Sequence, residues 1–293
     1  MPELPEVETL RRELVEAVKG KIIKSAEVRW AKMVRPLSEK EFDQKLKNKK
    51  ITDVKRRAKI LIFDLSGKDF LMVHLKLTGQ LIFQKLKIKG QKSKVFTGGH
   101  PQKDGVDNLP NKFTHIIITF KDGSKLYFND LRKFGWMRIT DKEGIEKLSG
   151  EFGLEPLLKE FTLEKFKAII KKYPKRKIKQ ILLDQTLIAG IGNIYADESA
   201  FDAGILPIRP AGKIKEAEAN KLYQSIKKIL KLSLSKKGTS ADTYVQLNGQ
   251  PGGFVPYLKV YGRKGEKCKK CDGMVKRIKV NGRGTHFCEK CQK

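Results

Sequence analysis

Residues 1–10 of the chain read MPELPEVETL. From Val7 to Val18 apolar residues recur at helical spacing and Gly20 follows as a stop, so this stretch predicts an amphipathic helix that begins almost at the chain terminus. The carboxylates of Glu3 and Glu6 lie at the start of this helix, where the helix dipole favours negative charge. They act either as ordinary helix-start residues or as proton carriers for a reaction at the terminus.

Pro2 becomes the first residue once the initiator Met1 is removed, which a small second residue generally permits. Its secondary amine is then a nucleophile. An α-amino group has a pKa of about 7.7–8.0 and a lysine side chain about 10.4, so a much larger fraction of the terminal amine is unprotonated at neutral pH. Such an amine attacks an aldehyde-like carbon without needing burial to activate it.

The chain is strongly basic. Its 293 residues contain 63 Lys and Arg against 33 Asp and Glu, a formal net charge of +30 that is dispersed along the sequence. This surplus predicts a polyanionic partner, with nucleic acid as the first candidate and an anionic membrane surface as the second. The sequence has no apolar run of membrane-spanning length and no amphipathic anchor, so we expect no membrane. A lysine-rich proteome is the alternative source of the surplus.

Cysteine usage and the chain start both indicate a cytoplasmic protein. The N-terminal segment is charged and lacks the apolar region of a secretory signal. The four cysteines form two C-x2-C pairs separated by sixteen residues, which argues against a disulfide framework and predicts one tetrahedral zinc held by four thiolates. Because sulfur fills every coordination position, this zinc is structural. The ligands are Cys268, Cys271, Cys288 and Cys291.

The residues between the two cysteine pairs predict a β-hairpin. Residues 274–280 and 285–287 are strand-like, and Asn281-Gly282 is a tight-turn signal between them. Arg283 follows that turn and projects from the hairpin tip. In a chain of this charge we interpret it as a phosphate ligand.

The chain divides into a β-rich first half and a helical second half, which predicts an α+β class. Short strands indicate a sandwich or barrel-like domain to about residue 150. They cover 21–28, 51–54, 60–65, 70–75, 80–83, 115–120 and 125–128. The predicted helices cover 163–171, 178–184, 193–201 and 214–233. Residues 84–111 predict a mobile excursion between two strands, and the Gly-rich and Ser-rich stretch 236–258 predicts a functional loop or lid.

Seven segments, taken in order, resemble one known family. They are MPELPEVET from Met1, RRAKILIF from Arg56, HLKLTG from His74, NDLRKFG from Asn129, LLDQTLIAGIGNIYADE from Leu182, VYGRKG from Val260, and C-x2-C-x-G-x-V from Cys268 with RGTHFCEKCQ after it. With these segments the chain is similar to the bacterial formamidopyrimidine-DNA glycosylases, also called 8-oxoguanine DNA glycosylases.

The resemblance implies a three-part α+β fold. Residues 1–152 would form a catalytic β-sandwich with flanking helices, 153–257 a helix-two-turn-helix domain with a lesion-capping loop at 239–254, and 258–293 a zinc finger. The implied activity is excision of oxidised purines, 8-oxoguanine and formamidopyrimidines, from damaged double-stranded DNA. A base turned out of the duplex is required, because the sugar carbon C1′ is out of reach while the base is stacked. The protein would act as a monomer.

The resemblance also implies catalytic roles. Pro2 would form a Schiff base with the sugar and then act as an AP lyase by β- and δ-elimination. Glu3 matches the general acid/base, and Glu6 matches a second carboxylate that supports the site. Lys59 matches the proton donor in β-elimination and a phosphate contact, and Arg283 matches the arginine of δ-elimination and phosphate binding.

Five matched positions imply DNA contacts. Arg132 and Phe134 match a wedge that fills the gap left by the everted base, the arginine bonding to the estranged cytosine. Leu77 stands where the family usually has the third wedge residue, a methionine, and its similar size is expected to preserve activity while changing opposite-base discrimination. Asn193 in GIGN matches a phosphate contact, and His74 is also expected to bind DNA.

Three further features depart from the family pattern. Phe113 stands where many relatives carry a DNA-contacting histidine, and the segment 84–111 is longer than usual. Lys175, Arg176 and Lys177 are all candidates for a further basic contact.

Two alternative functions stay open: an endonuclease VIII-like glycosylase for oxidised pyrimidines, and a non-catalytic zinc protein that binds DNA. Leu4 and the Arg132/Phe134 wedge favour the purine enzyme over the first alternative, and the PE start together with Lys59 favours it over the second.

Overall fold

The computed structural model describes residues 1–85, 95–99, 109–240, 244–247 and 250–293. The chain forms two compact units. The first contains residues 1–149 and 237–253, and the second contains residues 150–236 and 254–293.

The first unit combines helices with two antiparallel sheets. Its helices are α1 (Leu4–Val18), α2 (Glu39–Leu46) and α3 (Lys142–Glu151), which crosses into the second unit. Its strands are β1 (Ile23–Val28), β2 (Ile51–Arg57), β3 (Ile60–Leu65), β4 (Phe70–His74), β5 (Gly79–Gln84), β6 (Val95–Gly99), β7 (Thr114–Phe120), β8 (Lys125–Asp130) and β9 (Trp136–Thr140). One sheet has the order β1-β7-β8-β5-β6, and the other has the order β2-β3-β4-β9.

Both sheets and α1 contribute to one hydrophobic core. Alternate side chains of a strand point to opposite faces, so Ile116 and Ile118 of β7 enter this core while Ile117 packs on the other face of its sheet. The apolar stripe of α1, which includes Leu10 and Leu14, covers the same core. The N-terminal helix is therefore built into the sheet domain from its first turn.

The second unit contains the remaining helices and a β-hairpin. The helices are α4 (Leu163–Lys172), α5 (Ile178–Leu183), α6 (Asn193–Ala203) and α7 (Glu216–Ser235), and the hairpin pairs β10 (Lys276–Val280) with β11 (Arg283–Phe287). Nearly every side chain of α6 is buried. Glu198 of α6 accepts backbone N–H bonds of 2.8–3.1 Å from residues 259–261, which fixes the segment leading to the first cysteine.

The predicted α+β class is confirmed, and each predicted helix and strand forms with its ends shifted by a few residues. Helices α2 and α3 and strands β6 and β9 were not predicted. Helix α2 has only Phe42 and Leu46 as buried apolar residues, so its periodicity is weak, although Ser38 and Glu41 form a capping box at its start. Within the predicted excursion 84–111, residues 95–99 form β6, whereas 86–94 and 100–108 lie outside the described residues.

Among the helices that the structure describes, none combines the length and apolar character needed to cross a lipid bilayer.

Substitution of Leu14 tests the shared core. Leu14 is fully buried, so we expect Leu14→Ala to lower the free energy of unfolding by about 2–5 kcal/mol, because a cavity remains where the side chain packed. Glu16→Ala on the exposed face of the same helix is the control, with a change within about 0.5 kcal/mol. Urea unfolding followed by circular dichroism measures both, and equal effects would contradict the packing described.

Candidate active site and nucleic-acid interface

The chain start is held in a fixed conformation by the first turn of α1. Glu3 is the N-cap residue, and its backbone N–H donates to Oε2 of Glu6 at 2.8 Å within a capping box. Glu3 and Glu6 are 3% and 2% exposed, and Pro2 is also buried. Both carboxylates therefore lie at the helix start, as expected, and the same contacts orient the residue that follows Pro2.

The other oxygen of Glu6 binds the predicted loop. Oε1 accepts the backbone N–H of Thr239 at 2.8 Å. The preceding residue, Gly238, has φ +89°, and a Cβ atom there would lie 2.9 Å from the same oxygen. Glycine is required at this point for both reasons. One carboxylate thus connects the chain start to the base of the loop.

Two further contacts tie the loop to α1. The Tyr244 hydroxyl donates to the backbone carbonyl of Glu6 at 3.3 Å, and the Leu247 N–H donates to Oε2 of Glu13 at 2.6 Å. Tyr244 and Leu247 both enter the hydrophobic core of the first unit. Burial, followed by the charges of Glu6 and Glu13, raises the pKa of the Tyr244 hydroxyl, so it stays a neutral donor. Residues 241–243 and 248–249 of the loop lie outside the described residues.

Lys59 lies directly before β3, and His74 is the last residue of the adjacent strand β4. Lys59 occupies the turn between β2 and β3 and is 6% exposed, and the next residue, Ile60, pairs with His74. Burial, with smaller contributions from the charges of Lys76 and Lys59, lowers the pKa of His74 to about 3. Its Nδ1 accepts the Lys76 N–H at 2.9 Å, which places the ring proton on Nε2. At neutral pH, His74 is an uncharged hydrogen-bond donor.

The predicted wedge residues occupy two neighbouring segments of the first unit. Phe134 is 52% exposed, and the Arg132 guanidinium carbon lies 5.0 Å from the centre of its ring. Leu131 beside them is 50% exposed. Leu77 is half-buried in the turn between β4 and β5. Exposed apolar side chains next to a guanidinium suit contact with stacked bases.

In the second unit, Asn193 contacts the tip of the β-hairpin. It is the first residue of α6, and its Nδ2 donates to the Gly284 carbonyl at 2.9 Å, directly beside the exposed Arg283. Its Oδ1 is buried without a hydrogen-bond partner among the described residues. The two predicted phosphate ligands of this unit therefore lie on directly connected backbone segments.

A buried ion pair supports this arrangement. The Nζ of Lys179, which is fully buried, lies 2.6 Å from Oδ1 of Asp197 and donates to the Gly284 carbonyl and the Thr285 hydroxyl at 3.0 and 2.9 Å. Asp197 also accepts the His286 N–H at 2.8 Å. The pair joins α5, α6 and β11. A cleft of about 250 Å³ opens beside it, and Arg176 and Arg283 are among its lining residues.

The cysteine sulfurs form a cluster that fits one zinc ion. All four Sγ atoms lie within 4.8 Å of one another. The Cys268–Cys291 and Cys271–Cys288 separations are 3.8 and 3.6 Å, close to the separation of about 3.8 Å that tetrahedral geometry with Zn–S bonds of about 2.3 Å requires. Backbone N–H groups of Lys270 and Gly273 point at two of the sulfurs.

The thiols need a cation to ionise together. Burial, followed by the hydrogen bonds with the other three thiols, raises the pKa of Cys291 to about 12. Four thiolates at this spacing repel one another unless a divalent ion compensates their charge. Cys268 and Cys288 also pack with Phe201 of α6, so the metal site is continuous with the packing of the second unit.

Family models match three parts of the chain. Residues 1–137 match the formamidopyrimidine-DNA glycosylase N-terminal domain, residues 152–245 match the H2TH domain of the same enzymes, and residues 265–293 match the zinc finger found in FPG and IleRS. A formamidopyrimidine-DNA glycosylase from Carboxydothermus hydrogenoformans is 41% identical over 277 residues, which cover 94% of each chain. The chain belongs to the formamidopyrimidine-DNA glycosylase family.

Other family members extend the similarity to structure. The enzyme from Shouchella clausii is 39% identical over 94% of each chain. The Lactococcus lactis Fpg, solved in complex with DNA that contains an abasic site, is 35% identical over 99% of each chain with a TM-score of 0.86. A variant of that Fpg, solved with DNA that contains Fapy-dG, gives a TM-score of 0.87. The predicted family and zinc cofactor are confirmed, and the roles of individual residues stay predictions.

Sequence reasoning missed several residues of this family member that position the predicted ones. Lys179 is one, and its signal was a lysine within the apolar run Ile178 to Leu183. Thr78 and Asp130, which lie between the two wedge segments, are others. As a pair they gave no signal, because they lie 52 positions apart in the sequence. The sequence-predicted residues from Pro2 to Phe134 belong to the first unit, and Asn193, Arg283 and the cysteines belong to the second.

Zinc removal tests the metal site. We expect one zinc per chain by atomic emission, and we expect a strong chelator at pH 5 to remove it because protons compete for the thiolates. The thermal midpoint should then fall, since Cys268 and Cys288 are part of a hydrophobic cluster, and zinc but not magnesium should restore it. A chain that keeps its midpoint after complete zinc loss would contradict this.

The pKa of His74 predicts a pH dependence of stability. The folded value is lowered to about 3, so between pH 6.5 and 3 the unfolded chain binds a proton that the folded chain does not. Stability from this group is therefore complete above pH 6.5 and falls as the pH falls. Between pH 7 and 5 the wild type should lose about 2 kcal/mol more unfolding free energy than His74→Asn, as measured by urea unfolding. Equal losses would show that the His74 pKa is ordinary.

Proposed function

We propose that the chain is a bifunctional DNA glycosylase and AP lyase of base-excision repair, which removes oxidised purines from duplex DNA through its N-terminal proline. It belongs to a family of such enzymes, and relatives have been solved with abasic-site DNA and with Fapy-dG DNA. We further propose that it acts as a cytoplasmic monomer, with domains at 1–152, 153–257 and 258–293.

The proposed reaction begins after Met1 is removed. The Pro2 nitrogen attacks C1′ of the everted nucleotide, and the damaged base leaves. Glu3, as the general acid/base, then protonates O4′, so the C1′–O4′ bond breaks, the sugar ring opens and an iminium forms between Pro2 and C1′. The resulting iminium withdraws electrons, so a proton is lost from C2′ and the bond to the 3′ phosphate breaks. Loss of the 5′ phosphate follows and leaves a one-nucleotide gap. In this scheme Pro2 alone forms a covalent bond with the sugar.

The main structural support for the proposal is the pair of hydrogen bonds that the Glu6 carboxylate accepts. It accepts the N–H of Glu3, next to the nucleophile, and the N–H of Thr239, where the loop begins. A loop proposed to close over the everted base would be anchored on the group that orients the nucleophile. Such shared support is what a site needs if base capture and attack are to happen in one geometry.

The remaining roles follow the charges and exposure of the side chains. Lys59 is proposed as the proton donor in β-elimination, and Arg283 is proposed to bind phosphate and assist δ-elimination. Asn193, at a helix N-terminus, and His74, a neutral donor, are proposed as phosphate ligands. Since His74 carries no charge, its contact would add direction without adding a counterion-release step.

The wedge is proposed to consist of Leu77, Arg132 and Phe134. Arg132 would bond to the orphaned cytosine, and the two apolar side chains would occupy the gap in the stack. The four-cysteine zinc would hold the hairpin that carries Arg283. When bound, the ion supplies no open coordination position for substrate, so its contribution is structural.

Covalent trapping tests the proposed reaction. Borohydride added during incubation with duplex DNA containing 8-oxoguanine should reduce the iminium and leave a stable protein–DNA adduct. Pro2→Gly should lower the adduct yield by at least about 100-fold, because a flexible primary amine replaces the ring-constrained secondary amine. Gel electrophoresis and mass spectrometry measure the adduct and locate it on the terminal residue.

An N-terminal tag that leaves Pro2 internal is the matched control. It keeps every side chain but removes the free amine, so it should also abolish trapping while zinc content and circular dichroism stay unchanged. A wild-type protein that binds lesion DNA but never forms the covalent adduct would contradict the enzymatic proposal. Full trapping by the tagged protein would assign the nucleophile to another residue.

A further inference from the structure

The two segments that carry the proposed wedge share one anchor. The first segment is the wedge turn, residues 75–79, and the second is the wedge loop, residues 131–135. Asp130 precedes the loop and is 1% exposed. Its Oδ2 accepts the Gly135 N–H at 2.7 Å, and its Oδ1 accepts the Arg132 N–H at 3.1 Å. One carboxylate therefore binds both ends of the wedge loop.

Thr78 connects the wedge turn to the same carboxylate. Its hydroxyl donates to Oδ1 of Asp130 and accepts the Arg132 N–H at 3.0 Å. Thr78 follows Leu77 directly, so the apolar residue of the turn and the arginine of the loop are joined through a single hydroxyl. The backbone of Asp130 is held too, because its carbonyl contacts Nε2 of His115 at 2.8 Å.

Steric limits make both segments rigid at their base. A Cβ atom on Gly79 would lie 2.4 Å from the Leu75 carbonyl oxygen, and one on Gly135 would lie 2.6 Å from the Phe128 ring. Lys133 has φ +56°, and its Nζ lies 4.0 Å from the centre of the Trp30 ring. The tips, in contrast, are open: Phe134 is 52% exposed. Close packing therefore holds the base of each segment, whereas the side chain of Phe134 is accessible at the tip.

We propose that Asp130 and Thr78 are positioning residues that hold Leu77, Arg132 and Phe134 as one preorganised unit, and that this unit sets discrimination of the base opposite the lesion. The inference rests on the proposed function. Neither residue touches the reacting sugar in the proposed scheme. They act by fixing the arginine backbone relative to the apolar side chains, so that a cytosine in register bonds to Arg132 while another base does not.

A buried carboxylate explains why the anchor is specific. Desolvating Asp130 is unfavourable unless hydrogen bonds replace its water, and three donors from two segments supply them. Removing the Thr78 hydroxyl takes away one of these donors and breaks the hydrogen bonds that join the wedge turn to the wedge loop. The loop keeps its Gly135 and Arg132 bonds, so the fold should survive while the register between the segments loosens.

The test compares Thr78→Val with Thr78→Ser. Valine keeps the shape and loses the hydroxyl, whereas serine keeps the hydroxyl. We expect Thr78→Val to reduce the ratio of 8-oxoguanine excision opposite cytosine to excision opposite adenine by about tenfold, the effect of losing one charge-assisted hydrogen bond. Thr78→Ser should stay within about twofold of wild type. Thr78→Ala serves as a second variant without the hydroxyl, and Thr52→Val on an exposed strand position is the matched control.

Two further readouts separate positioning from general damage. A 2-aminopurine beside the lesion reports unstacking by fluorescence, and its signal should fall with Thr78→Val and return with Thr78→Ser. Borohydride trapping on single-stranded abasic DNA needs no gap filling, so its yield should fall much less than the opposite-base ratio. Thermal melting of each variant confirms folding.

The outcomes distinguish the inference from the proposed function. A wild type that traps, with Thr78→Val and Thr78→Ala keeping full opposite-base discrimination, overturns the inference and leaves the proposed function intact. Parallel loss of discrimination and single-stranded trapping overturns the inference as well, since the hydroxyl would then serve the chemistry or the fold as a whole. A wild type that never traps overturns both.

Discussion

The carboxylate of Glu6 is the interaction on which the N-terminal site depends. It connects amides 236 residues apart in sequence, one beside the chain start and one at the base of the loop. A chain terminus is normally the most mobile part of a protein, because few contacts oppose its conformational entropy. Here the terminus begins a core helix, so the entropy cost is met by packing of α1. The proposed Pro2 amine would then be held in place without any change in its own chemistry.

Three other buried carboxylates hold segments of the chain in the same way. Glu6, Asp130, Asp197 and Glu198 are all at most 2% exposed, and each accepts backbone N–H groups from a distant segment or a loop. An unpaired carboxylate inside a protein is costly, so each one strongly favours the single arrangement that satisfies it. In a chain of net charge +30, burying these acids also keeps them off the surface that meets a polyanion.

Patterns that are local in sequence were predictable, and arrangements built from distant residues were not. The cysteine spacing fixes the zinc ligands because a tetrahedral ion accepts few geometries, and helical or alternating periodicity located most elements of both units. Strand β9 was missed because WMRIT has no clean alternation, and α2 because it has little apolar surface. Asp130 and Lys179 look like ordinary charged residues until their partners at Thr78 and Asp197 are known. The motif residues were located by resemblance, and their roles await experiment.

In the absence of DNA, about half of the surface of Leu131 and of Phe134 is exposed to water. Burial of these side chains releases the water around them. The resulting favourable free energy has a heat-capacity signature but little dependence on ionic strength. Attraction between lysine-rich surfaces and phosphates behaves oppositely, since dissolved ions weaken it. If these side chains contact DNA as proposed, two forces of different origin would act there, and at high salt concentration the hydrophobic one would remain.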